Sequence, residues 1–217
     1  MPNVLVTGFD AFGDAAINPS WLVAQALRGH RIAGHRVVSA QLPTVFGESA
    51  RVLAALLKLH RPALVICLGL AGGRGAISLE RVAINVNDAC IADNAGAQPL
   101  DSAVAPDGPA AYFTSLPIKA MLRALQARGI AAEVSQTAGT FVCNHVFYAL
   151  MHRLATTRGL KKVRGGFIHL PWLPEQARQH NSGAGMPLDD MLHGIKLALR
   201  AALENNSDIA LSAGATH

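Results

Sequence analysis

The chain has 217 residues, of which 51% are hydrophobic and only 15% charged; this is enough apolar surface for one sizeable core, and it excludes wholesale disorder. A formal charge of +5 comes from 19 Lys and Arg against 14 Asp and Glu. The basic residues are scattered, and the densest group, Lys161, Lys162 and Arg164, has no interleaved aromatics, so no nucleic-acid partner is expected.

The first 70 residues read strand, helix, strand, helix, strand. Val4 to Gly8 is a buried strand. Asn18 can cap a helix that starts with Pro19 and runs to about Gly29. Arg36 to Gln41 is the second strand. Gly47 to His60 carries Val52, Leu53, Leu56 and Leu57 at helical spacing. Ala63 to Gly69 is a continuous apolar run, as in a strand covered on both faces. Ala76 to Ala83 and Ala83 to Ile91 read as two further strands, followed by a Gly, Asn, Pro and Asp-rich loop from Asp93 to Pro109. Pro117 to Arg128 is an amphipathic helix closed by Gly129, and Ala131 to Gln136 a short strand. Phe141 to Thr157 is a helix with Val142, Val146, Phe147, Leu150, Met151 and Leu154 on one face. Val163 to Leu170 is a strand. The last helix begins at Pro187, with Asp189 and Asp190 complementing its dipole.

This alternation predicts a single-domain α/β fold over residues 1–204, with a mostly parallel twisted sheet and helices on both faces. Residues 205–217 read as a polar tail that frays. Functional residues are expected where strands run out at the sheet's carboxyl edge. Cys67, Cys90 and Cys143 have no CxxC spacing, so neither a disulfide framework nor a zinc site is expected. No leader-like segment precedes the first strand, and the apolar runs fall far short of the ~20 residues of a membrane span. A cytoplasmic, membrane-free protein without a metal or cofactor is the expectation.

Cys143 carries the chemistry. It follows a strand and a small turn containing Gly139, which puts the thiol in the first turn of a helix. The positive dipole end there favours a thiolate, and the free amides can hold an oxyanion. Cys67, in mid-strand, reads as a buried structural thiol. A cysteine nucleophile needs a base and a group that orients the base. His169 ends a strand before Leu170 and Pro171. If the strands on either side of the Cys143 helix are neighbours, His169 and Cys143 emerge together at the carboxyl edge. His145 competes, but two positions past Cys143 on a helix it does not face it. Glu80 interrupts an apolar strand and is the candidate orienter; by spacing alone it reads equally as a surface partner of Arg81 or Arg74. The turns Gly8 to Gly13 and Gly69 to Gly75 match neither a phosphate-binding loop nor GxGxxG. Phe9 and Phe12 suit an apolar pocket.

Thr7-Gly8-Phe9, Asn18-Pro19-Ser20-Trp21, Leu42-Pro43-Thr44-Val45-Phe46 and Glu80-Arg81-Val82-Ala83-Ile84-Asn85 form motif blocks together with Ala138 to His145 and Gly166 to Pro171. On these blocks the chain resembles the pyroglutamyl peptidase I family of cysteine peptidases across nearly its whole length. The resemblance implies a phosphorylase/hydrolase-like α/β fold, no cofactor, a homotetramer and peptide substrates with an N-terminal pyroglutamyl residue. It implies a triad of Cys143, His169 and Glu80. It also implies a lactam pocket of Phe9, Phe12, Asn18, Thr44, Leu70, Ile91, Phe141 and Val142. Relatives often carry Gln where this chain has Leu70, and Arg where it has Cys90. Those departures motivate a second enzyme reading, an amidase or acyl hydrolase on another neutral cyclic amide. A non-enzyme reading is a nucleoside- or nucleotide-binding module, which the α/β order and Gly-rich turns would suit.

Overall fold

The computed structural model describes residues 1–214. Its elements are β1 (Asn3–Phe9), α1 (Pro19–Leu27), β2 (Arg31–Ile32), β3 (His35–Leu42), α2 (Glu48–His60), β4 (Leu64–Leu70), β5 (Ile77–Glu80), β6 (Val82–Ile84), β7 (Ala111–Phe113), α3 (Ile118–Gln126), β8 (Ala132–Ser135), α4 (Val142–Thr156), β9 (Arg164–Leu170), α5 (Pro174–Gln179) and α6 (Leu188–Glu204). Seven strands form one sheet in the order β2-β3-β1-β4-β9-β5-β8. Strands β3, β1, β4 and β9 run parallel, β2 returns as a hairpin on β3, and β5 is antiparallel to β9 and parallel to β8. The expected α/β class with a mostly parallel sheet is what the chain builds.

Local chemistry sets the elements. The Asn18 side chain accepts from the Ser20 amide at 3.1 Å, and Pro19 opens α1 where its missing N–H costs nothing. Glycine at position 8 lets α1 approach β1 closely, because a Cβ there would run into the backbone of Ser20. On one face of the sheet Val4, Val6, Ile66, Leu68, Leu79 and Ile168 pack with α1, α3 and α6. On the other, Leu5, Phe9, Val65, Cys67 and Phe167 pack with α2 and α4.

The structure departs from the sequence reading in four places. Strand β8 does not lie beside β9: β5 is inserted between them, and both β5 and β8 run against β9. The strand expected over residues 83–91 shrinks to β6, which pairs with the unanticipated β7 in a separate two-stranded sheet. Beyond Ile84 the backbone pairing breaks into separate contacts, Asn85 N to Ala110 O at 2.9 Å and a bridge between Asn87 and Ser102, and side chains supplement it. The Asn85 side chain donates to Ala105 O at 2.8 Å and accepts from the Ala105 amide at 2.9 Å. The short helix α5 and hairpin strand β2 were also unread. Lastly, residues 205–213 are docked rather than frayed. Asp208 accepts from the amides of Lys119 and Ala120 and so caps α3, Arg81 donates to Ala213 O at 3.1 Å, and Leu211 packs on the core. Residues 215–217 of the expected tail lie outside the described residues.

Candidate active site

His169 is the penultimate residue of β9 and is buried, on the face covered by α4. Its Nδ1 lies 2.7 Å from Oε1 of Glu80, which is fully buried at the end of β5. The register explains the pairing. Ser78 sits opposite His169, and two residues on, Glu80 points to the same face and meets the imidazole diagonally. Glu80 therefore arrives from an antiparallel strand, not from the carboxyl edge of a parallel one as expected. Arg74 donates to the same Oε1 at 2.8 Å, which marks that oxygen as the acceptor and Nδ1 as the donor. The Nε2 atom is then left with its lone pair. Glu80 does pair with Arg74, but buried rather than at the surface, and on the same oxygen it also meets His169. Its Oε2 is buried with no hydrogen-bond partner among the described residues.

Cys143 lies in the first turn of α4. The route to His169 is not the strand-helix-strand unit inferred from sequence. It runs through β4, where Gly69 pairs in register with His169. A Cβ built on Gly69 would lie 3.0 Å from Sγ of Cys143 and would strike the Phe167 ring. Glycine there makes room for the thiol beside the imidazole strand, and the Phe167 ring packs 4.8 Å from the His169 ring. The N-cap residue Phe141 offers no side-chain cap to α4, and its first turn leaves the amides of Val142, Cys143 and Asn144 without helical partners. Such amides can hold a developing oxyanion.

The thiol's protonation differs from expectation. Burial pushes Cys143 up to about 12, the nearby Glu80 carboxylate pushes the same way, and Arg74 opposes both. The helix dipole favours a thiolate, but desolvation and a like charge win. The resting group is a neutral thiol that needs a base.

His145 does not compete for that role. It is buried, its Nε2 accepts from the Gly47 amide at 3.0 Å, and its Nδ1 faces Asn87 Oδ1 at 2.9 Å. Burial lowers it to about 4, so it stays neutral and anchors two loops. Asn144 does the same for residues 84–86, accepting from Ile84 N and donating to Ile84 O and Val86 O.

The expected pocket residues divide into two groups. Phe12, Asn18, Leu70 and Ile91 line a cavity of about 820 Å³ that also reaches Trp172 and α5. Phe12 and Phe46 each lie 5.3 Å from the Phe141 ring. Phe9 and Val142 do not reach that wall: they are 2% and 0% exposed and back the site from the core. Thr44 is held by Asp10, whose Oδ1 accepts from its amide at 2.7 Å and its hydroxyl at 2.6 Å. Sequence reasoning missed Asp10. It also missed Asp93, which accepts from the amides of Phe46, Ala95 and Ala97. Burial pushes Asp93 upward, but these backbone donors together hold it below its usual value. The only sequence signal for either was an acidic residue directly beside a Gly or Asn turn.

A neutral thiol, an imidazole oriented by a buried carboxylate and a helix of free amides make a thiol-dependent hydrolase of the α/β class. A family model described as pyroglutamyl peptidase matches residues 2–205. A pyrrolidone-carboxylate peptidase of Cupriavidus taiwanensis is 55% identical, covering 100% of each chain, and one of Ralstonia nicotianae is equally so. The crystal structure of pyroglutamyl peptidase I from Bacillus amyloliquefaciens superposes with a TM-score of 0.93 at 46% identity, covering 96% of this chain and 100% of that one. A mutant pyrrolidone carboxyl peptidase from Pyrococcus furiosus gives 0.90 at 41% identity, covering 94% and 99%. The chain belongs to the pyroglutamyl peptidase family. Neither the amidase nor the nucleotide-binding reading is favoured by these relatives.

Proposed function

We propose that this protein is a cysteine peptidase that removes the pyroglutamyl residue from the N-terminus of peptides, with Cys143 as nucleophile, His169 as base and Glu80 as its orienter. The observation that carries the reading is the buried 2.7 Å Glu80–His169 bond, one strand away from the glycine that accommodates the Cys143 sulfur. His169 Nε2 takes the thiol proton as sulfur attacks the carbonyl that joins pyroglutamate to the next residue. The amides at the start of α4 hold the oxyanion. The imidazolium then gives its proton to the departing amine as the C–N bond breaks, leaving a thioester. Water, deprotonated by the same nitrogen, attacks the thioester. The thiolate leaves and takes the proton back. Burial and the Glu80 carboxylate both push the thiol up, which is why attack calls for a base to take its proton.

The substrate pocket follows from the ring's chemistry. A pyroglutamyl group has no free amine and no charge, so its site needs apolar walls, a few hydrogen bonds and no buried countercharge. Phe12, Phe141, Leu70 and Ile91 supply walls; Asn18 and Thr44 fix the loops between them; Phe9 and Val142 support them from behind. The same reading makes the enzyme a cofactor-free cytoplasmic homotetramer. No helix among the described residues is long and apolar enough to cross a membrane.

The test is release of a reporter amine from a pyroglutamyl amide, with a prolyl amide as the comparison. The pyroglutamyl amide should be cleaved and the prolyl amide not. Cys143→Ala should lose at least ~10⁴-fold, as expected when a covalent nucleophile is removed. Full activity in Cys143→Ala would overturn the mechanism, and equal cleavage of both amides would overturn the substrate.

A further inference from the structure

Arg74 stands in the Gly-rich turn after β4 and belongs to none of the three groups in the proposed triad. Its guanidinium makes three bonds to three separate pieces of chain. Nη1 donates to Glu80 Oε1 at 2.8 Å on β5 and to Ser135 Oγ at 3.3 Å at the end of β8, and Nη2 donates to Thr137 O at 3.1 Å in the turn that leads to α4. Ser135 Oγ also donates to Thr137 O at 3.0 Å, so the turn is closed on itself around the guanidinium.

The consequence for Glu80 is geometric. Both of its donors, Arg74 and His169, share Oε1, and Oε2 has no partner among the described residues. Two converging donors on one oxygen fix the rotation of the carboxylate. With His169 alone, either oxygen could accept, and the imidazole could swing with it. The consequence for Cys143 is that the turn carrying it to the start of α4 is tied to the orienter of its base. A planar fork of donors can serve three acceptors at once; an ammonium on a flexible stem cannot hold them in one plane. The Arg74 side chain is 29% exposed, so it reaches the site from solvent and is not itself part of the core.

We propose that Arg74 is a positioning residue: it locks Glu80, and through it His169, and ties the Cys143 turn to the same point, so that nucleophile and base are held in register from two different strands. This rests on the function proposed above. Charge acts in the same direction as geometry, because Arg74 offsets the field of Glu80 at the Cys143 sulfur. Removing Arg74 takes a positive charge from the Glu80 oxygen that His169 Nδ1 also contacts. The acid limb of the kcat/KM profile then moves to higher pH.

The experiment is the kinetics of Arg74→Gln, Arg74→Lys and Arg74→Ala on a pyroglutamyl reporter amide. In Arg74→Gln we expect kcat to fall ~10- to 100-fold with KM within about twofold, and the acid limb to move upward. Arg74→Lys should lie between the variant and the parent. Guanidinium ion at sub-denaturing concentration should restore part of the rate of Arg74→Ala, at least ~threefold, while leaving His169→Ala unrescued. A merely structural arginine would show neither the shifted limb nor the rescue. An unchanged kcat in Arg74→Gln, or a loss confined to KM, would overturn the inference. If Arg74→Gln and Arg74→Ala do not fold, the folded Arg74→Lys decides it: a parental kcat and pH profile sinks the idea. A parent enzyme inactive on the pyroglutamyl amide would instead overturn the underlying function, and this proposal with it.

Discussion

The two faces of the sheet are built on different rules. The face under α1, α3 and α6 is a continuous aliphatic layer in which Val4, Val6, Leu64, Ile66, Leu68, Ile77, Leu79 and Ile168 are all fully buried. The face under α2 and α4 has fewer buried apolar residues in its strands, and polar groups are set among them: Thr7, Ser78, Glu80 and His169 are each 3% exposed or less. Alternation along the strands makes this segregation complete, since Thr7 shares a face with Leu5 and Phe9, and His169 with Phe167. Burying a carboxylate beside an imidazole is costly, and its second oxygen has no partner among the described residues. The first face holds the protein together, and the second is where the chain accepts destabilising groups in exchange for chemistry.

That contrast can be broken by substitution. The largest effect should come from His169→Ala on the polar face, with a loss of ~10² to 10⁴ in kcat/KM on a pyroglutamyl amide. In the same variant Cys143 loses the base proposed for it, while the desolvation and the Glu80 field that push its thiol up remain. Its alkylation should rise about tenfold per pH unit from pH 7 to 10 without a plateau, because a thiol pushed up to about 12 is still mostly protonated there. Mass mapping of the Cys143 peptide keeps exposed Cys90 out of the count. A plateau near pH 8.5 would show that the helix dipole governs the thiol after all.

Next comes the aliphatic face. Ile195→Ala, fully buried on α6, should cost about 2–5 kcal/mol in denaturant unfolding while the folded fraction keeps its kcat. Glu80→Gln should do the reverse. The rate should drop ~10- to 100-fold, with unfolding free energy moving by no more than about 1 kcal/mol, since a buried carboxylate with an orphaned oxygen contributes little net stability. A large stability loss in Glu80→Gln would mean that the polar face is structural too.

The smallest effect is on acid stability and concerns His145. Its ordinary value is 6.5 and burial lowers it to about 4, so between those values the unfolded chain binds a proton that the folded one does not. Stability is therefore present above pH 6.5 and is lost as pH falls toward 4. His145→Gln, which keeps a polar partner for Gly47 or Asn87, should flatten the unfolding free energy across that window. An identical slope would assign the acid sensitivity elsewhere.

Most of the elements were legible in the residues. The apolar run of β4, the cap and proline of α1 and the one-sided face of α4 are local signals, and each element stands within two or three residues of its expected bounds. The Cys143 and His169 candidates were legible too, because a thiol at a strand-to-helix turn and a His at a strand end are local patterns. Glu80 was half legible: its interruption of an apolar strand was visible, its partner was not. Phe9 and Val142 were expected in the pocket from the family resemblance; their side chains face inward, which no local pattern of residues displayed.

By itself the sequence determined the class of fold, the inward and outward faces of its elements and the candidates for the reactive groups, because those depend on periods of two and 3.6 and on side-chain chemistry. Only the tertiary structure decided that β5 slides between β9 and β8 and runs against β9. That insertion is what carries Glu80 to His169, and the Cys143 thiol meets the His169 strand beside Gly69 of β4 rather than across from β8. It likewise decided that Cys143 rests as a thiol, since its desolvation and the field of Glu80 arise from residues far apart in the chain. Strand order and electrostatic environment are sums over non-local contacts, and no window of neighbouring residues contains them.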